Sequence, residues 1–153
     1  GGPVASVIRV NQFDTHALQG ADEGSHGDRL ELLDEVIKAY REGLGDAWDK
    51  SIILTLTEFG RTASVNGTGG TDHGYASVGL LAGGLIDNSR VISEWPGLAD
   101  VDLYEERDLY ATIDYRSVCA ACIERVLGLD HDLISQKVFL TSKLKRVYDY
   151  IFS

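Results

Sequence analysis

Residues 51–57 read SIILTLT, a short run that is β-branched, almost wholly apolar and free of glycine and proline. A half-exposed strand alternates apolar and polar side chains; a continuous apolar run of this length predicts an interior strand covered on both faces. Such a strand needs neighbours beside it and helices over it. Just upstream, Leu30, Leu33, Ile37, Tyr40 and Leu44 recur at helical spacing among Glu31, Asp34, Glu35, Lys38 and Arg41. This predicts an amphipathic helix over residues 28–42, capped by Asp28, supported by the Asp34 and Lys38 pair and stopped by Gly43 and Gly45. At about 20 Å it is long enough to cover a sheet face.

The other segments fit the same scheme. Residues 4–11 contain Val4, Val7, Ile8 and Val10, an imperfectly alternating β-type stretch that runs into Gln12-Phe13-Asp14-Thr15-His16. Residues 18–27 read as a polar surface loop, and residues 60–74, with five glycines, as an irregular one. Residues 76–81 predict a second short buried strand ended by Gly83-Gly84. Trp95-Pro96-Gly97 and the acidic residues 100–108 read as loop and surface. Residues 113–127 predict a second helix, with Val118, Cys119, Cys122, Ile123 and Val126 as its apolar stripe and Gly128 as its stop. The apolar residues of the tail, among them Val147 and Ile151, predict a terminal helix or a contact with another chain. The fold class expected is α/β, a central sheet flanked by helices, in a single unit over residues 1–153.

A chain of 153 residues buries one sizeable core, and 44% apolar with 25% charged residues is ordinary for a globular protein. Its longest apolar runs, about six residues, fall far short of the roughly 20 that span a bilayer. A formal charge of −10 argues against generic nucleic-acid binding, and serves chiefly solubility. Acids and histidines brought together locally would still hold a cation. Cys119 and Cys122 are too few for a disulfide framework; their spacing on one helix face reads as buried thiols, with a CxxC metal or redox pair as the alternative. The Gly1-Gly2-Pro3 start reads as a cut boundary, not a signal peptide.

Three polar clusters stand where chemistry is expected. Asp14 and His16, two apart at a predicted strand end, can face one centre and offer oxygen and nitrogen to a divalent ion; the plainer alternative is a carboxylate that fixes a loop or bonds the ring. Glu58 directly follows the apolar run and must reach a cavity mouth or be paired, with Arg61 as the nearest partner. If Glu58 instead holds a cation, Arg61 is left to meet an anionic substrate or a structural carboxylate. Asp72 and His73, set among glycines, form the third cluster, His73 as the better ligand and Asp72 as a ligand or as the group that orients its ring. His26 reads as a loop or interface hydrogen bond and His131 as surface.

FDTHALQG, SHGDRLELLDEVIKAY, ILTLTEFGRTASVNGTGGTDHG and DLYATIDYRSVCAACIERVLG, in that order, closely resemble the DUF1501 family of bacterial proteins. That family looks like a branch of the alkaline phosphatase and sulfatase superfamily. The resemblance implies a partial alkaline-phosphatase-like layered fold, with this chain as the C-terminal part of a larger domain. It also implies an exported parent in the periplasm or cell envelope. By the same resemblance Asp14, His16, Glu58 and His73 are similar to metal ligands, zinc being the divalent ion most expected; Asp72 joins them from its place beside His73, and Arg61 is the candidate catalytic cation that meets the substrate. Phe59 stands where the superfamily places a histidine, which breaks the two-zinc pattern. Asp114 and Arg116 of the DYR motif read as a helix-start cap and its partner. The activity implied is metal-dependent hydrolysis of a phosphate or sulfate ester, completed by a missing N-terminal segment that supplies the nucleophile. The alternative is a non-catalytic binding or structural module. A fragment lacking its other half would expose apolar surface and self-associate as a homo-oligomer.

Overall fold

In the computed structural model, which describes residues 4–153, the chain runs through α1 (Ser25–Leu44), a 3₁₀ turn (Gly45–Lys50) and four two-residue strands. These are β1 (Ile53–Leu54), β2 (Gly60–Arg61), β3 (His73–Gly74) and β4 (Leu81–Ala82). A second 3₁₀ turn (Asp100–Asp102) precedes α2 (Tyr115–Leu127), α3 (His131–Lys137) and α4 (Tyr148–Phe152). The Gly1-Gly2-Pro3 start lies outside the described residues.

The expected central sheet flanked by helices is corrected to a small mixed α/β fold with two separate two-stranded sheets. The apolar run explains the difference. β1 pairs antiparallel with β4 alone, Ile53 opposite Ala82 and Leu54 opposite Leu81. Thr55 prolongs the pairing through its N–H to the Leu80 carbonyl, 3.0 Å. Its hydroxyl then accepts the Leu80 N–H at 2.8 Å, a bond that engages the side chain instead of the ladder. Leu56, Thr57 and Glu58 follow as exposed residues. Apolar density without periodicity cannot tell a strand covered on both faces from a short run with one neighbour. Residues 76–81 are likewise not a buried strand, Val78 being 76% exposed, and residues 4–11 form none.

α1 starts three residues before its expected first residue. Gly24 precedes it without a side-chain cap, so Asp28 does not cap but lies in the first turn, where a carboxylate is favoured by the helix dipole. Leu33, Ile37, Tyr40 and Leu44 are only half-buried, and Gly27 is the buried residue of this helix. The helix packs chiefly on its following 3₁₀ turn and so does not cover a sheet as expected.

The best-buried part is helical. α2 packs on α3 and α4, where Ala120, Ala121, Ile134, Val147 and Ile151 are buried. Small side chains at Ala120 and Ala121 let helices approach, and burying Ile134 contributes about 1.5–3 kcal/mol. The sequence reading holds at both ends of α2. The Asp114 carboxylate accepts the Arg116 N–H at 2.9 Å and pairs with its guanidinium at 2.6 Å, and Gly128 closes the helix at φ 64°. Cys119 and Cys122 are half-buried free thiols. His131, expected at the surface, is 9% exposed: Asp130 caps α3 so that this ring lies in the first turn, with Nε2 3.0 Å from the Leu144 carbonyl. Among the described residues no helix is long and apolar enough to cross a membrane.

Candidate metal centre

The second sheet sets the frame of the site. β2 pairs antiparallel with β3, Gly60 opposite Gly74 and Arg61 opposite His73, and the Thr62 N–H continues to the Asp72 carbonyl at 3.0 Å. On the far side of residues 68–71 runs the segment that carries Asp14 and His16. Leu18 and Gln19 donate to the Thr68 and Gly69 carbonyls at 3.0 and 2.8 Å, and Thr71 donates back to Thr15 at 3.3 Å. Three backbone segments thus lie side by side, and the glycines are what allow it. A Cβ at Gly70 would run into the His16 carbonyl, and one at Gly74 into the backbone of Arg61. The glycine density that reads as irregularity in the sequence is close backbone approach in the fold.

Side chains lock the frame. Asn66 donates to the His16 carbonyl at 2.9 Å and to Asp72 Oδ1 at 3.0 Å, while its own oxygen accepts from the Thr68 and Gly70 N–H groups. Gln19 Oε1 accepts the hydroxyls of Thr15 and Thr71 at 2.9 and 2.7 Å. Neither Asn66 nor Gln19 stands out in the sequence as a site residue; Asn66-Gly67 carries a turn signal and no more.

Asp14, His16 and His73 bring one ligand atom each to within 4.8 Å of one another. His16 Nε2 and His73 Nε2 both lie 3.0 Å from Asp14 Oδ1, and all three side chains are about half exposed. On its other ring nitrogen, His16 Nδ1 faces Asp72 Oδ1 at 3.3 Å. Asp72 therefore contacts the ring of His16, not that of its neighbour His73. Arg61 donates to the Phe13 and Thr71 carbonyls at 2.8 and 2.9 Å and to Asp14 Oδ1 at 2.6 Å. Its ion pair is with Asp14 and not with Glu58. Glu58 is exposed and outside the three-residue group. Phe59 stacks on His73, and the Arg61 guanidinium lies over the same Phe59 ring, 5.2 Å from its centroid. His26 contributes its backbone N–H to the Gln19 carbonyl and sets its ring edge-on against Phe13.

Partial desolvation pushes the Asp14 carboxyl upward, but bonds to His73 and Arg61 and the charges of Arg61 and His16 outweigh it and hold the group below the ordinary carboxylate value. Bonds to Asn66, then to His16, lower Asp72 in the same sense. Both acids thus favour the charged form that ligates. The charge of Arg61 acts on Asp14, and that of Arg107 on Asp72.

The donor set fits a divalent ion. One carboxylate oxygen and two imidazole nitrogens suit zinc and other first-row ions, and half-exposed ligands leave positions open to solvent. Asp14 Oδ1 accepts from Arg61, lies within hydrogen-bond distance of His73 Nε2, and is in contact with His16 Nε2. A neutral imidazole has one N–H and can donate to only one carboxylate. With Nδ1–H toward Asp72, His16 turns a lone pair toward Asp14, and that contact needs a cation between the two atoms, either a proton on the ring or a metal ion.

The model of the family described as "Protein of unknown function (DUF1501)" matches residues 3–138. Comparison with curated proteins and with solved structures gives no match. The expected kinship to alkaline phosphatases and sulfatases is corrected to membership of the matched family alone, and the layered central sheet expected with it to the two short sheets seen among the described residues. For the expected C-terminal fragment and its missing N-terminal partner segment, the match over residues 3–138 supports family membership alone and neither reading of the chain's extent. Residues 3–138 being more than half of it, the chain belongs to the DUF1501 family.

Proposed function

We propose that this protein is a non-catalytic binding or structural module that holds a divalent metal ion between Asp14, His16 and His73. The observation that carries the reading is the position of His16, whose two ring nitrogens face two carboxylates. In this reading Asp72 orients the ring by accepting from Nδ1 and leaves Nε2 to ligate, the arrangement in which a carboxylate sets a metal-binding histidine. Arg61 positions Asp14 and does not meet a substrate, because its guanidinium is held by three oxygens of the fold. Glu58 stays outside the ligand set. The ion ties the segment around Asp14 to the loop that ends in β3. Nothing in the donor set favours zinc over its neighbours.

Metal-stripped protein should take up one equivalent of a divalent ion when Zn²⁺, Mn²⁺ and Ca²⁺ are titrated separately by calorimetry, with the bound metal quantified after dialysis. Asp14→Ala and His73→Ala should each weaken uptake at least about tenfold. Folded protein that takes up none of the three ions would sink the metal reading. Metal-loaded protein that turns over an aryl phosphate or sulfate would sink the non-catalytic part.

A further inference from the structure

A cavity of about 350 Å³ lies beside the start of α2, bordered on its other side by residues 143–147. That volume suits a small organic molecule. None of its lining residues belongs to the metal centre. Lys143 and Lys145 line it, and neither ammonium makes an ion pair with a carboxylate among the described residues. In a chain of net charge −10, two unneutralised ammonium groups at one cavity are a local reversal of sign. The other charged groups at its edge are largely engaged. Arg146 is held by Glu124 at 2.6 Å and Asp149 at 2.7 Å, and Asp114 by Arg116 at 2.6 Å. That leaves Glu94 against the two lysines.

A second, independent observation lies in the wall. Ser117, in the first turn of α2, lines the cavity, is 1% exposed, and its hydroxyl has no hydrogen-bond partner. Leaving a buried hydroxyl unpaired is costly, and a ligand oxygen would remove that cost. The helix end itself adds little, because the Asp114 carboxylate already takes the Arg116 N–H. Ile113, Val147 and Tyr150 supply apolar surface beside these polar groups.

We propose that this cavity binds a small organic anion, a molecule with a phosphate or carboxylate head and an apolar body. Lys143 and Lys145 hold the head by charge, the Ser117 hydroxyl bonds to it, and Val147, Ile113 and Tyr150 contact the body.

The test is titration of the full chain at low ionic strength with phenyl phosphate, benzoate, phenol and inorganic phosphate, followed by calorimetry and by amide shifts. Saturable binding of phenyl phosphate or benzoate is expected, the tighter of the two identifying the head. Lys143→Glu with Lys145→Glu should weaken it about tenfold or more, since charge-assisted bonds are lost. Lys137→Glu, outside the lining, should leave it unchanged. Ser117→Ala should weaken it several-fold while thermal stability holds or rises, because the hydroxyl removed has no partner in the fold. Neither anion saturating, or Lys137→Glu costing as much as the double variant, would overturn the site. Phenol binding as tightly as the anions would overturn the role of charge, and inorganic phosphate binding as tightly as phenyl phosphate would overturn the apolar body.

Discussion

Phe59 lies face to face with His73, ring centroids 3.8 Å apart and planes 13° from parallel. The stack sets the orientation of the His73 ring, the member of the Asp14, His16 and His73 group that comes from β3. Stacked pairs contribute about 0.5–1.5 kcal/mol beyond their buried area. Phe59→Ala should raise the metal dissociation constant about three- to tenfold, with Phe59→Tyr close to the parent protein. An unchanged metal isotherm for the alanine variant would show that the stack does not hold His73.

Arg61, in β2, ties in two further backbone segments by donating to Phe13 and Asp14 and to Thr71. Arg61→Ala leaves the two carbonyls without this donor and should lower unfolding stability by about 1–2 kcal/mol in urea. Arg61→Lys should not restore it, because an ammonium cannot reproduce the planar fork. Lysine restoring full stability would show that only the charge counts.

The acid limb of stability is tied in part to Asp114, whose carboxyl is held below its ordinary value of 3.8, first by the side-chain bond from Arg116. A depressed folded value means that the carboxylate stabilises the fold above its unfolded value and that this contribution is lost as pH falls through the folded one. Asp114→Asn still caps α2 but no longer titrates. The stability gap between parent and variant should therefore be present at neutral pH, modest because the pair is part-exposed, and close below about pH 3.8. A gap that widens as pH falls would refute this account.

Desolvation, and then the neighbouring Cys119, push the Cys122 thiol up to about 12, and burial raises Cys119 as well. At pH 8 Cys122 is then held almost wholly as the unreactive thiol. Alkylation followed by mass spectrometry should label Cys119 before Cys122, with both reacting quickly only in denaturant. Fast labelling of Cys122 in folded protein would revive a redox reading of the pair.

The two helical patterns of the sequence are the parts that translate most directly into structure, and for a reason. A helix is decided by neighbours three and four residues away, so Asp114 and Gly128 bound α2, although its buried residues are Ser117, Ala120 and Ala121 and, of the expected stripe, Val126 is exposed. A sheet is decided by partners elsewhere in the chain. SIILTLT states that its residues are apolar but not that one short antiparallel neighbour is all it pairs with. Asp14, His16 and His73 were legible as ligand types, and the structure brings them together. Their supports were not, because Asn66, Gln19 and Phe59 act through contacts that span distant positions. His131 shows the converse: flanking aspartates read as surface, yet one of them is the cap that turns the ring inward.

The bond between Asp14 and His73 joins positions 59 residues apart. An ion held there is a reversible cross-link across everything between, including α1 and its half-buried apolar stripe. The entropy of closing a loop grows only slowly with its length, so one metal contact can hold so long an interval. On the proposed metal reading, local opening of that interval would depend on the free concentration of the cation. Amide exchange at Leu18, Gln19 and Thr71, whose N–H groups bond across this edge, would read that dependence directly and so report on the ions around the protein.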